Sequence, residues 1–452
     1  GASVFFARRW LRLLDALDLA PLVRGELSLR YAVVSRGDEL VALCPFFVTR
    51  SPGIHPHYSL DKFFFTGWKA DLERLNPSSR GWSARAVAAA SLYRSLAWRS
   101  GAGAEGGVIV ASPLSLRGGI LCASDANLAA GATGANGAVG ATSTNGAAGA
   151  AGANGAAGAN GANGANGASG AAGMSGAARA TRAAHAADVA RRARRMIVEG
   201  LREVAADEGL PLYFYGVDEG QGGLREALKD ASFQELFHFD DNVIDVRGRG
   251  IDDYLGQFKS DARRRLKREM ARPGAEGVRF ERVSGLGAMG EQLERFYEMT
   301  YSQYGKDHFA HPPWFWAALE RHVAPQAEAV VALEGARPVG FSLLLHGADE
   351  LWFYRVGRAE AGPAETPLYF NLAFYEPMRR AYQLGARRLW LGPGGYETKR
   401  RRGARRHPVY GYLWLPRRWS RTVLRPYLSL FSHLNRTHVV GEAPAPRVEA
   451  AP

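Results

Sequence analysis

Between Asp125 and Arg179 the chain carries no charged residue, and from Gly131 to Gly176 glycine holds every third position, broken only at Ser143. The other positions are mostly Ala, Asn, Ser and Thr. A Gly-X-Y period is the collagen pattern, because only glycine fits at the axis of a triple helix. Yet no proline occurs between Pro113 and Pro211, so the stiffness of a collagen strand is missing. Ala and Gly also bury too little surface to offset the entropy of ordering. The expectation is a disordered insert, the alternative a bundle of extended helices that needs further chains. Either way the chain divides: residues 1–124, the insert 125–182, a larger segment 183–440 and a short disordered tail 441–452.

Of the 452 residues, 46% are hydrophobic, enough to build one or two sizeable cores. Two cysteines, Cys44 and Cys122, can form neither a disulfide framework nor a four-cysteine metal site. His308 and His311 flank a turn with no Cys or acidic pair beside them, so no metal is expected. No run of about 18 apolar residues predicts a spanning helix. The opening GASVFFARRWLRLL lacks an apolar signal core, which with the few cysteines predicts a cytoplasmic protein. A net charge of +13 favours polyanionic partners: nucleic acid, phosphorylated co-substrates or, peripherally, an anionic membrane face. Oligomeric state is not legible.

Periodicity gives the elements. Residues 1–124 read as helix Phe6–Leu19, strands Leu29–Val34 and Glu39–Val48 around Arg36-Gly37-Asp38, helix Ser83–Trp98 and strand Gly107–Ala111. The larger segment opens with basic helix Ala187–Glu208, strand Leu212–Val217, helix Leu224–Ala231 and strand Phe237–Val246. A long charged helix, Ile251–Met270, follows, then strand Val278–Val283 and helices Met289–Tyr304 and Pro313–His322. Strands Ala327–Leu333, Pro338–His346 and Leu351–Val356 form an antiparallel meander. Helix Pro367–Leu384, strands Arg388–Leu391 and Val409–Leu415 and helix Arg421–Leu434 complete an α/β order with a mixed sheet.

Certain stretches carry a resemblance. LWLGPGGYETKRRRG (Leu389–Gly403) is similar to the strand and Gly-rich loop of Fem-type and BioF2-like acyltransferases. FKSDARRRLKREM (Phe258–Met270) resembles the basic helix of the FemAB-like group, and EAVVALEGARPVGFSLLLHGADELWFYRVG (Glu328–Gly357) resembles its meander. LVALCPFFVTR (Leu40–Arg50) is more weakly similar to the first half of such tandem proteins. The resemblance implies a GNAT-like fold, in tandem halves, in which two splayed strands receive an acyl donor and an amine. It implies an acyltransferase, linked to peptidoglycan, using acyl-CoA or aminoacyl-tRNA as co-substrate and no resident cofactor. A catalytically silent binding module for an anionic ligand and a nucleic-acid-binding accessory protein stay open beside it.

Acyl transfer to an amine needs a base, donors for the oxyanion and cations for the donor's phosphates. Candidate catalytic residues are Lys399 and Glu397 of the Gly-loop stretch and Tyr354 on the splaying strand. A solvated Lys399, a Glu397 paired with a neighbouring Arg and a Tyr354 engaged in sheet packing are the plainer readings. Candidate donor contacts are Arg355, Gly357 and Arg358, the glycines Gly392, Gly394 and Gly395, and Arg263, Arg264 and Lys267 of the basic helix. Tyr369 and Asn371 open the next helix, whose aromatics read as core. Two departures from the pattern stand out. Gly357 and Gly362 lack the spacing of a CoA-pyrophosphate loop, and Thr398 stands where the group often has a histidine.

Overall fold

A computed structural model describes residues 8–16, 27–50, 60, 64–65, 88–96, 106–112, 117–122, 139–143, 176–302, 311, 314–324, 326–359 and 366–439. Most of the insert, His308 and the tail 441–452 lie outside the described residues.

Among the described residues, thirteen strands form one mixed sheet. They are β1 Leu27–Arg36, β2 Glu39–Thr49, β3 Gly107–Val110, β4 Leu121–Cys122, β5 Val139–Ser143, β6 Leu212–Asp218 and β7 Gln234–Asp245. There follow β8 Val278–Val283, β9 Ala327–Glu334, β10 Arg337–His346, β11 Glu350–Arg358, β12 Arg388–Trp390 and β13 Arg405–Trp414. The order across the sheet is β5-β1-β2-β3-β6-β13-β7-β12-β11-β10-β9-β8, with β4 against β2. β9 to β11 form the expected antiparallel meander, β8 adds a fourth antiparallel strand beside β9, and β12 joins β11 in parallel after a crossover helix. That parallel step takes the helix because a parallel neighbour cannot be reached by a hairpin. This is the α/β order with a mixed sheet that the periodicity implies.

Alternation places the core on both faces. Phe47, Ile109, Tyr213 and Leu343 face one side, with Trp10, the helix Gly290–Ser302, the helix Phe315–Val323 and the helix Arg418–Leu434. Phe46, Val108 and Phe214 face the other, under the helix Gly176–Asp207. Leu344 and Leu351 face the same way under Phe370, Phe374 and Met378.

Several elements differ from the sequence reading. The basic helix begins at Gly176, inside the Gly-triplet segment, because alanine favours helix once the triplets end. Val139–Ser143, also within that segment, pairs antiparallel with β1, so disorder does not hold for those five residues. The expected helix Ile251–Met270 is two helices, Ile251–Gly256 and Ser260–Ala275, with Gln257, Phe258 and Lys259 between them. The crossover helix runs Pro367–Phe370, a π-helical turn Asn371–Tyr375, then Glu376–Leu384. A short helix Tyr396–Arg400 replaces the first part of the expected loop, and the last strand starts at Arg405.

Candidate functional site

β11 and β12 pair over three rungs only: Glu350 with Arg388, Leu351 with Leu389 and Trp352 with Trp390. β11 then continues to Arg358, whereas the chain after Trp390 turns away through Gly392, Gly394 and Gly395. All three glycines have positive φ, between 58° and 73°, which side chains with a Cβ resist. The strands therefore part just beyond the Trp352–Trp390 rung. On the β10 side, pairing skips Tyr354: Phe353 faces Leu344 and Arg355 faces Leu343. Such a bulge re-aims side chains at the opening.

At the fork the two tryptophan rings stack 4.7 Å apart, 3° from parallel. The Arg117 guanidinium lies 5.1 Å from one ring centroid and 4.8 Å from the other. Arg117 pairs with Asp241 of β7 and stands 3.6 Å from Asp218 of β6. Arg117 and Asp241 are buried; Asp218 is partly exposed. Strand register explains the convergence: Asp241 faces His407 across β7 and β13, and Val243 faces Trp390. His407 is half-buried with its ring edge-on to Trp390 at 5.1 Å, and the ring makes no hydrogen bond among the described residues. Burial pulls its pKa below 6.5, Arg117 and Arg405 pull the same way, and Asp218 and Asp241 oppose them. It is thus a neutral imidazole at pH 7, able to accept a proton.

Tyr354 lies at the bulge beside this fork, edge-on to Trp10 at 5.9 Å. The Arg355 guanidinium stacks on Tyr354 at 4.2 Å and on Tyr297 at 5.5 Å. Its Nε is buried without an acceptor, and no carboxylate pairs with it among the described residues. Gly357 has a packing role: a Cβ there would stand 2.6 Å from the backbone of Phe296 and Tyr297. Arg358 is buried, its backbone N–H donating to Thr300 Oγ1 at 2.8 Å and its guanidinium to Thr366 Oγ1 at 3.2 Å.

Lys399 is not the exposed residue expected. It is buried, and its ammonium donates to the carbonyls of Leu391, Gly392 and Pro393 at 2.8, 2.8 and 3.0 Å. Asn242 Nδ2 donates to the Gly392 and Gly394 carbonyls at 2.8 and 3.3 Å, so two side chains clamp the Gly loop. Burial draws the Lys399 pKa down to about 8, with Asp241 opposing. Glu397 turns to Arg400 and Arg401, whose hydrogen bonds hold its pKa down to about 2. So anchored, it is a weak base.

Of the basic helix, Arg263 turns inward to the Phe258 carbonyl at 3.0 Å. Arg264 pairs with Asp261, and Lys267 is exposed with no ion partner among the described residues. Glu269 joins this helix to the turn after Lys399: it receives Arg402 at 2.7 Å and the Tyr375 hydroxyl at 2.6 Å. Asn371 in the π-turn donates to the Glu269 carbonyl at 2.9 Å, a structural role like that of its aromatic neighbours. The exposed side chains Arg400, Arg401, Lys267 and Arg268 therefore come from elements packed together.

The family model described as peptidoglycan biosynthesis/recognition, FemAB-like, matches residues 178–440. The chain belongs to the FemAB-like family. A collagen triple-helix repeat model matches residues 128–181 of this FemAB-like chain. Among curated proteins no sequence matches. Among solved structures, the crystal structure of FemX is similar at 9% identity over 94% of this chain and 95% of that one, with a TM-score of 0.49. The C-terminal domain of a putative lysylphosphatidylglycerol synthetase from Agrobacterium fabrum is similar at 14% identity over 54% and 79%, with a TM-score of 0.39. The L-PGS structure from Bacillus licheniformis is similar at 12% identity over 53% and 78%, with a TM-score of 0.38. Such scores decide nothing about chemistry.

Sequence reading missed Arg117, Asp241, Trp390 and His407. They stand 290 positions apart at the extremes, Arg117 to His407, and share no motif. His407 was readable only as the one imidazole ending a run of basic residues.

Proposed function

We propose that this FemAB-like protein transfers an acyl or aminoacyl group to an amine at the fork between β11 and β12. The observation that carries the reading is His407: a half-buried, unbonded imidazole at the point where two parallel strands part. At physiological pH an acceptor amine is mostly ammonium and must give up a proton before its nitrogen lone pair can attack a carbonyl, and a neutral imidazole takes that proton. In this reading His407 accepts that proton, Arg117 and Asp241 fix the ring's surroundings, and Tyr354 stands at the bulge to serve the leaving group. The unpaired Arg355 and the exposed Arg400, Arg401 and Lys267 suit the phosphates of a CoA or tRNA donor. Lys399 and Asn242 shape the Gly loop rather than perform chemistry. The family's description, peptidoglycan biosynthesis/recognition, supports a peptidoglycan precursor or a related amine as the acceptor. No helix among the described residues is long and apolar enough to cross a membrane.

Mass spectrometry of acceptor amines incubated with acyl-CoA or charged tRNA tests this. Transfer by the wild type and its loss in His407→Gln supports the reading; transfer that survives His407→Gln removes His407 from it. A second reading, a binding module without turnover, is favoured if donor binds and nothing is transferred.

A further inference from the structure

The start of the helix Arg418–Leu434 gathers cations where electrostatics disfavours them. Arg417 caps the helix and Arg418 opens it, with no acidic residue in the first turn and no side-chain cap. A helix N-terminus already carries partial positive charge, so arginines there repel it. Arg421, one turn on, feels Arg202 and Arg418, and both push its pKa down in the same sense as its burial. Arg202, from the helix Gly176–Asp207, and Arg421 hold the Trp414 ring at 5.2 and 4.8 Å. The Arg202 Nε is buried with no acceptor. Arg418 and Arg425 are exposed and have no ion partner among the described residues. In their midst Trp419 is 46% exposed, although tryptophan normally seeks cover.

Arg421 has folded-state partners, the Trp414 ring and the Leu415 carbonyl at 2.6 Å, but nothing among the described residues uses the exposed Arg418, Trp419 and Arg425, where like charges meet at the wrong end of a helix beside an uncovered indole. An occupant that is anionic and offers a partly apolar boundary would satisfy both features. Basic residues are attracted to anionic lipid surfaces, and tryptophan settles at the level of the headgroups. We infer that the Arg417–Arg425 turn, with Trp419 as its anchor, docks the protein on the surface of an anionic lipid membrane. The patch is separate from Lys267, Arg400 and Arg401, which the proposed function assigns to the donor, and it does not depend on that assignment. RNA, the other large polyanion, also stacks bases on exposed aromatic rings, and it is the competing outcome of the test below.

The test is sedimentation of the full chain with phosphatidylcholine vesicles, with and without 30 mol% phosphatidylglycerol, an amount on the order of that in anionic leaflets. The protein is expected to sediment with the anionic vesicles only and to leave them as salt is raised. Arg418→Glu with Arg425→Glu should weaken partitioning at least about tenfold, two charge reversals acting through the surface potential. Trp419→Ala should weaken it at unchanged salt dependence. These side chains are exposed, and an unchanged circular dichroism spectrum verifies folding. Lys267→Glu with Arg268→Glu, on the other basic surface, should bind vesicles as the wild type does. Equal binding to neutral vesicles, insensitivity to the Arg418/Arg425 reversals, or an equal loss in the Lys267/Arg268 control overturns the proposal. So does patch-dependent binding of tRNA without vesicle binding.

Discussion

The Lys399 ammonium donates to three successive carbonyls, those of Leu391, Gly392 and Pro393, and so closes the Gly loop on itself. A lysine in that position is a clamp. Substituting it leaves three acceptors without their donor, and unmet buried acceptors are costly. Lys399→Met should lower stability by about 2–4 kcal/mol, read by urea denaturation.

The same residue gives a pH dependence. Its pKa is about 8 in the fold and 10.5 in its ordinary state. Between those values the unfolded chain holds the proton that the folded chain releases. Stability contributed at this site therefore rises with pH across that window and is lowest below it. The stability difference between wild type and Lys399→Met should widen in favour of the wild type from pH 8 to pH 10.5. A narrowing gap would mean that the three carbonyl bonds hold the proton more firmly than burial expels it.

His407 and Glu397 make opposite predictions for turnover. With its pKa lowered by burial, His407 is neutral at pH 7, and kcat/KM should fall only below the ordinary histidine range. His407→Gln should cost about 100-fold or more, the usual range for loss of a general base. Glu397 is held ionised to about pH 2 by Arg400 and Arg401. Glu397→Gln should leave turnover within about threefold, since an exposed ion pair contributes little. A large loss in Glu397→Gln restores it as a catalytic candidate.

Arg117 and Asp241 are a buried ion pair, and loss of either leaves the other buried charge without its nearest counter-charge, Arg117 keeping only the more distant Asp218. Arg117→Leu or Asp241→Leu should each cost about 3–5 kcal/mol. The double variant should cost clearly less than the sum, as a double-mutant cycle by chemical denaturation will show. Additive losses would mean that the two side chains act independently.

Trp390 is stacked on Trp352 and almost wholly buried. Trp390→Ala should cost about 3–5 kcal/mol through the cavity it leaves, and Trp390→Phe much less. Thermal or urea unfolding of both variants distinguishes packing from chemistry: Trp390→Phe that is stable but inactive would place the indole in the site.

The sequence by itself determined the elements and their order. The meander β9 to β11, the crossover helix and β12 carry alternation and turn residues that act locally, so they are readable in a linear string. The Gly loop was legible for the same reason: positive φ at Gly392, Gly394 and Gly395 is a property of glycine. Only the tertiary structure decided what the loop's neighbours do. Lys399 looked exposed because it lies in a basic run, yet one helical turn, Tyr396–Arg400, swings it back under the loop carbonyls. Glu397, two residues away, points outward on the same turn and is absorbed by Arg400 and Arg401. The fork itself needed Arg117 from before the Gly-triplet segment and Asp241, Trp352, Trp390 and His407 from four different strands. Their meeting depends on strand order and register across the sheet, and pairings between residues so distant along the chain leave no periodic trace in the sequence.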